Sequence, residues 1–475
     1  MSTSIMHIWY ISLPVHVQAA MDPHLLKHGP SQRQDTLDFA HAPYSDLPVW
    51  KRLIAQYSIA GIEVGFRLAG YAAMCAIPVM AYLRVAPSVL SGIIAVWSIS
   101  EWLFLFWSKR WIEELERRRP MPFLDPERRM KLARKVADHV DLEKALPLWS
   151  KSSTVQAKEW LAWAFFDKLK LRPAEEKQLS ILQGETHRSE ELQTVEMLCP
   201  TLDPLVYIPK PLIFYALVRA CKYTMESNLN HIGLKKHKGE YINYWKYQSV
   251  QEATASPIIF IHGVGLGPGV YINHIHKLIE HHPNRDIYAL ELPCIMVGSF
   301  SDLPTMDEIL ASVDDFFAEN RLQQCSFIGH SYGTIVCTWL NYHRPKYIAN
   351  LTLVDPVCFN LFESQFIKKC LYQDPSCFIH GFSLYIVFRD PLLASVLSRN
   401  FWWHQNNLFP DDIKAKTNVY LSDMDWIIDT PAVFNYLKLK LTVSPNPNVH
   451  LHMLHMAHGE YQFNSDVLDA ICQDV

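Results

Sequence analysis

Glycine is scarce in this chain of 475 residues, 17 against 29 prolines, and its 10 cysteines are scattered with no C-x-x-C pair. The first scarcity excludes collagen-like and Gly-rich linker architectures, and the second excludes a zinc ribbon and a disulfide scaffold. Positive charge is not in excess either: 44 Lys and Arg stand against 48 Asp and Glu, a formal net charge of −4. Nucleic acid would find no basic field here, so it is not expected as a partner. Charged residues make up only 19% and hydrophobic residues 49%, which argues against disorder and for a large core with a membrane-embedded part. No repeat of fixed period is present. No Lys or Arg precedes the apolar stretch Ile5–Ala20, so no cleavable signal peptide is expected. The ordinary cysteine usage fits a reducing compartment.

What is present divides into an N-terminal segment (1–67), a transmembrane helical hairpin (68–108), a helical linker or cap region (109–239) and a C-terminal catalytic domain (240–475). The run Val85–Ser108 carries a single charge, Glu101, and as a helix it covers about 36 Å, enough to span a bilayer. Leu68–Leu83 covers about 24 Å as a helix, and Arg67 and Arg84 at its ends could snorkel to the headgroups. The alternative is a buried helical pair in a soluble domain, because Glu101 and Pro78 are not typical lipid-facing residues. Lys109, Arg110, Arg117, Arg118 and Arg119 crowd the C-terminal flank. They place everything after Arg119 in the cytosol by the positive-inside rule, and the organelle stays open.

From Pro120 to Gly239 the pattern is helical, with the aromatic stretch Trp160–Phe166 read as packing core. After Gly239 short apolar strands alternate with helices, the pattern of a mostly parallel α/β sheet. Pro257–Ile261 is a strand running into His262-Gly263-Val264-Gly265, and Cys325–Ile328 is a strand running into Gly329-His330-Ser331-Tyr332-Gly333. A G-x-S-x-G between strand and helix is a nucleophile elbow: the small glycines Gly329 and Gly333 permit a strained turn that lifts the Ser331 hydroxyl above the sheet. The sequon Asn350-Leu351-Thr352 falls in a predicted buried strand.

These motifs resemble an α/β-hydrolase over residues from about 240 to 475, in its lipase and esterase-like branch. The resemblance implies a sheet with a helical lid insertion, here about residues 359–410, rich in aromatics such as Phe401 and Trp402. It also implies that the loop carrying Gly263 and Gly265 is the oxyanion loop, with the Val264 and Tyr332 N–H groups as donors. Ser331 is then the nucleophile. His458, after the last strand, is the base that activates it. Asp425, one residue ahead of an apolar pair, is the better candidate for the orienting acid, and Asp423 is the alternative. Ser331, Asp425 and His458 follow the chain order of this fold. No H-E-x-x-H or similar spacing occurs, so no metal site is expected, and the triad requires no cofactor. The function expected is a membrane-anchored serine hydrolase acting on a hydrophobic acyl ester. An acyltransferase or thioesterase using the same triad, or a catalytically silent membrane adaptor, are the alternatives. The oligomeric state is not legible.

Overall fold

The structure, a computed structural model, describes residues 49–84, 88–137, 157–178, 198–249, 255–363 and 365–475. The stretch Ile5–Ala20 and residues 85–87, the start of the predicted span Val85–Ser108, lie outside the described residues.

Two long helices come first, α1 (Val49–Tyr82) and α2 (Val89–Glu116). Both are long and apolar enough to cross a membrane. They outrun the apolar segments read from sequence. On α1 the helix continues through the polar stretch before Leu68, where Glu63 and Arg67 pair one turn apart. Ser88 and Ser91 cap the start of α2 reciprocally, so their own two N–H groups are satisfied without help from the rest of the chain.

The intervening region contributes α3 (Pro126–Ala137), α4 (Ala157–Phe166), α5 (Pro173–Gln178) and α6 (Leu212–His231). It shares a core with the C-terminal domain. Trp160 and Phe165 pack on Trp403, whose indole N–H donates to the Ala164 carbonyl at 2.8 Å.

The sheet has eight strands: β1 (Lys235–His237), β2 (Asn243–Tyr247), β3 (Ile258–Ile261), β4 (Ile287–Glu291), β5 (Cys325–His330), β6 (Ile348–Val354), β7 (Lys416–Ser422) and β8 (Val449–Leu454). Their spatial order is β1-β2-β4-β3-β5-β6-β7-β8. β1 and β2 are antiparallel to their neighbours, and all later pairs are parallel. The sheet therefore begins at Lys235, ahead of the boundary expected near residue 240. β3 and β5 are buried along their whole length, as strands covered on both faces must be.

The helices α7 (Ile272–His281), α8 (Met306–Glu319), α9 (Gly333–His343), α13 (Thr430–Val443) and α14 (Ser465–Gln473) connect or follow the parallel strands. Thr305 and Glu308 form a capping box that starts α8. Between β6 and β7 the chain makes a helical insertion that includes α10 (Phe378–Ser383), α11 (Pro391–Arg399) and α12 (Trp403–Asn406). This is the aromatic-rich lid segment of the sequence reading. The expected sequon starts at Asn350 inside β6, where Thr352 is buried.

Candidate active site

The C-terminal ends of the parallel strands form one edge of the sheet, where loops can present side chains from several strands. β5 ends at His330, and the chain turns at once into α9. Ser331 occupies that turn at φ 51, a left-handed conformation that costs a non-glycine residue strain and recurs at functional turns. The surroundings hold it there: the Ser331 N–H donates to the Val354 carbonyl at 3.0 Å, and its own carbonyl accepts from Thr334 Oγ1 at 2.6 Å. Gly333 has no room for a side chain, since a Cβ there would stand 2.2 Å from the Ile261 carbonyl oxygen. Gly263 is equally constrained, because its Cβ would meet the Ser331 Cβ at 2.8 Å. Gly329 is the penultimate residue of β5, and Gly265 bends the loop after β3 at φ 144.

The loop after β7 carries Asp425 and the loop after β8 carries His458. His458 Nε2 lies 3.0 Å from Ser331 Oγ, and Nδ1 lies 2.6 Å from Asp425 Oδ2. The other Asp425 oxygen accepts the N–H groups of Ile427 and Ile428 at 2.7 and 2.9 Å, which fixes the orientation of the carboxylate. Asp423 sits elsewhere, 2.8 Å from His455 on the exposed side of the same loop. The fold thus brings Asp425, not Asp423, to His458. Burial lowers the pKa of His458, but the Asp425 carboxylate and, more distantly, Asp355 outweigh it, and the net shift is upward.

Val264 and Tyr332 flank Ser331 from the β3 loop and the start of α9. Among the described residues, neither N–H is used in a hydrogen bond. Gly263, next to Val264, packs against Ser331, so both donors belong to segments that adjoin the serine, as stabilisation of an oxyanion requires.

Sequence reasoning missed a buried polar network beneath these residues. Asp355, at the end of β6 with φ 45, accepts the Gly459 N–H at 2.8 Å and lies 3.5 Å from His330 Nε2. His330 Nδ1 lies 2.8 Å from the Tyr271 hydroxyl, which accepts the Gly263 N–H at 3.1 Å. One chain of contacts therefore links the oxyanion loop, the elbow and the histidine loop. Asp355, wholly buried, has its pKa held down because His330 and the charge on His458 outweigh the cost of burial. The only available signal was a carboxylate directly after a buried strand, Val354-Asp355-Pro356. Asp355, Asp425 and His458 bring ligand atoms within 4.8 Å of one another. The same atoms make the hydrogen bonds just described.

The site is closed. Ser331 is 4% exposed, and the side chains of His458 and Asp425 are 8% and 0% exposed. An apolar hollow between the lid and α13, lined by Pro356, Val357, Phe359, Phe366, Ile428 and Val433, does not include Ser331. Trp426 packs on His458 at 6.1 Å between ring centroids and on His380 of the lid at 5.4 Å.

Residues 258–450 match the model of the alpha/beta hydrolase family. The chain is similar to the abhydrolase domain-containing protein abhd-5.2 of Caenorhabditis elegans, 28% identical over 127 residues, 26% of this chain. That match spans only 28% of the C. elegans protein. Among solved structures it is similar to carboxylesterase CesB of Bacillus subtilis, with TM-score 0.37, 9% identity, and coverage of 54% of this chain and 96% of that one. It is also similar to epoxide hydrolase VrEH1 of Vigna radiata, with TM-score 0.35, 12% identity, and coverage of 50% and 97%. These likenesses are too remote to carry a reaction across, since one fold hosts many chemistries. The strand order, the elbow and the family match agree that the C-terminal half of this chain is an α/β-hydrolase domain.

Proposed function

We propose that this protein is a membrane-held serine hydrolase that cleaves a hydrophobic acyl ester through an acyl-enzyme. The observation that carries the reading is the continuous line Ser331 Oγ, His458 Nε2, His458 Nδ1, Asp425 Oδ2, with steps of 3.0 and 2.6 Å outside the ring. With a proton on Nδ1 held by Asp425, Nε2 accepts the Ser331 proton as Oγ attacks the ester carbonyl. The negative oxygen of the tetrahedral intermediate then lies toward the Val264 and Tyr332 N–H groups. Collapse expels the alcohol, which takes the proton from His458. Water attacks the acyl-serine by the same route and releases the acid. Serine at the elbow argues against an epoxide hydrolase, because the members of this fold with that activity use aspartate there.

The lid supplies apolar surface suited to an acyl chain, with Phe401 near Tyr332 at 6.4 Å between ring centroids. The hairpin is read as the anchor. Lys109, Arg110 and Arg117–Arg119 on its C-terminal flank favour a cytosolic hydrolase domain by the positive-inside rule. Treatment with a fluorophosphonate probe tests the chemistry: the wild-type protein is expected to become labelled and Ser331→Ala to stay unlabelled. Absence of labelling in an open, detergent-solubilised wild-type protein would favour a silent adaptor with a hydrolase fold.

A further inference from the structure

The lone carboxylate of the hairpin has a partner. Glu101 is 3% exposed, and its two oxygens accept the Leu212 and Ile213 N–H groups at 3.0 and 3.1 Å, with Trp97 Nε1 at 3.3 Å. Those N–H groups open α6, whose residue before the helix is Pro211 and offers no side-chain cap. A helix start without a cap leaves unsatisfied donors, and a carboxylate in an apolar helix is itself unsatisfied. Each supplies what the other lacks.

The depth of this contact follows from the charges around it. Arg67 on α1 and Lys109 and Arg110 on α2 mark one end of the apolar hairpin, and Arg84 marks the other. From Val89 to Lys109 is about 30 Å of helix, one hydrocarbon core. Glu101 lies about 12 Å inside Lys109, and Gly70, whose Cβ would meet Pro211 at 2.8 Å, lies about 5 Å inside Arg67. At this same level the outer face of α2 is still apolar and open: Trp102, Leu103 and Phe106 are 51, 66 and 70% exposed. The helix therefore meets the hydrolase domain on one side and open apolar surface on the other, at one height.

We propose that the hydrolase domain is sunk into the near leaflet rather than tethered above it, with the first turn of α6 seated beside the hairpin at acyl-chain depth, Phe300 beside it at the level of Lys109, and Glu101 sealing the helix start from lipid. This rests on the membrane reading above. Three further features fit. Phe300 is 42% exposed and packs on Phe104, Trp107, Trp111 and Tyr215, continuing the apolar surface of α2 onto the domain. The lid helices α10 and α11 pack against α1 and α2. Together with the turn after α10 they form a bent pair, Phe378–Phe388 and Pro391–Arg399, that has the length and apolarity of a span, its second arm buried within the protein behind the hairpin. Through His380 and Trp426 this bent pair is two ring contacts from His458. A lipid ester would therefore enter sideways from the leaflet and not from the cytosol.

Photo-crosslinking in the full-length protein tests this. Benzoylphenylalanine is placed singly at Ile93 on the hairpin, at Ile213 and Phe300 on the domain, and at Val443 at the exposed end of α13. The protein is reconstituted in phosphatidylcholine vesicles containing a clickable acyl-chain analogue. Crosslinks to lipid are expected at Ile93, Ile213 and Phe300, at least tenfold above Val443. Labelling at Ile93 with none at Ile213 and Phe300 would overturn the sunken placement and leave the anchor standing. No labelling at Ile93 would overturn the membrane reading and this inference with it. Lipid labelling at Val443 equal to that at Ile213 would also overturn the placement. In Glu101→Ala the Ile213 and Phe300 crosslinks should fall severalfold while that at Ile93 persists, and unchanged crosslinks would remove Glu101 from the account.

Discussion

Strands β3 and β5 and the hairpin helices draw on the same apolar residue types, yet the strands lie wholly inside the protein while Val89, Leu90 and Phe106 of α2 are 84, 67 and 70% exposed. The difference lies in who satisfies the backbone. A strand needs a neighbour for every N–H and C=O, so β3 and β5 are stable only inside a sheet. A helix satisfies its own interior, so α1 and α2 can face a medium that offers no hydrogen bonds. Where that rule fails, at the start of α6, the hairpin lends a carboxylate. On the proposed function one region would carry the chemistry and the other would set where it is carried out, and changes to each should have separable effects.

The largest effect should come from the sheet edge. Ser331→Ala should lower ester hydrolysis by about four orders of magnitude or more while leaving carbonate-resistant membrane attachment intact. Asp425→Asn should cost about 10⁴ in kcat, because the histidine tautomer is no longer fixed. Asp423→Asn, which loses only an exposed contact to His455, should stay within a few-fold of wild type. A comparable loss from both in a p-nitrophenyl ester assay would undo the assignment of the acid.

The converse change is in the hairpin. Ile93 and Val96 are 62 and 66% exposed, and Ile93→Lys with Val96→Lys together should cost about 6 kcal/mol of membrane insertion. The double variant should appear in the carbonate supernatant and still react at Ser331 once solubilised. Retention in the pellet would sink the anchor.

A smaller effect concerns pH and stability. Burial lowers the pKa of His262 to about 4 and of His274 and His404 to about 3, from an ordinary value near 6.5. The unfolded chain binds protons at these sites before the folded one does. Their contribution is therefore complete above pH about 6.5 and lost progressively as pH falls toward 4 and below. Tm should drop steadily from pH 7 to 4.5, and His404→Gln should flatten that slope. A Tm independent of pH in this window would contradict the burial.

The smallest effect is expected at Asp355. Asp355→Asn removes a charge that helps to hold the His458 pKa up, so the acid limb of the pH–rate profile should move to lower pH with a modest fall in kcat. A fall in kcat with an unmoved limb would make Asp355 merely structural.

Much of the sheet was readable in advance, because in β3 and β5 an apolar run, a following glycine loop and a helix signal coincide within a few residues. The elbow and its serine were legible for the same reason. β1 and β2 were not, since Lys235–His237 and Asn243–Tyr247 mix polar and aromatic residues at the edge of the sheet without a clean alternation. Asp355 escaped notice because its partner Gly459 lies 104 residues away, a pairing that no local pattern encodes. Glu101 was read as an anomaly of a membrane segment. Its meaning depends on where α6 begins.

That pairing also imposes an order on synthesis. Glu101 leaves the ribosome 111 residues before the Leu212 N–H it will engage, a delay of about 5 to 20 s at ordinary translation rates. During that interval the hairpin carries an unpartnered carboxyl group. An unpartnered carboxyl group is costly in an apolar medium, so on the membrane reading it holds α2 short of its final depth. Nascent chains that end before Pro211 should therefore be extracted by carbonate more readily than chains that extend past α6, which would make the completion of α6 the step that commits the hairpin.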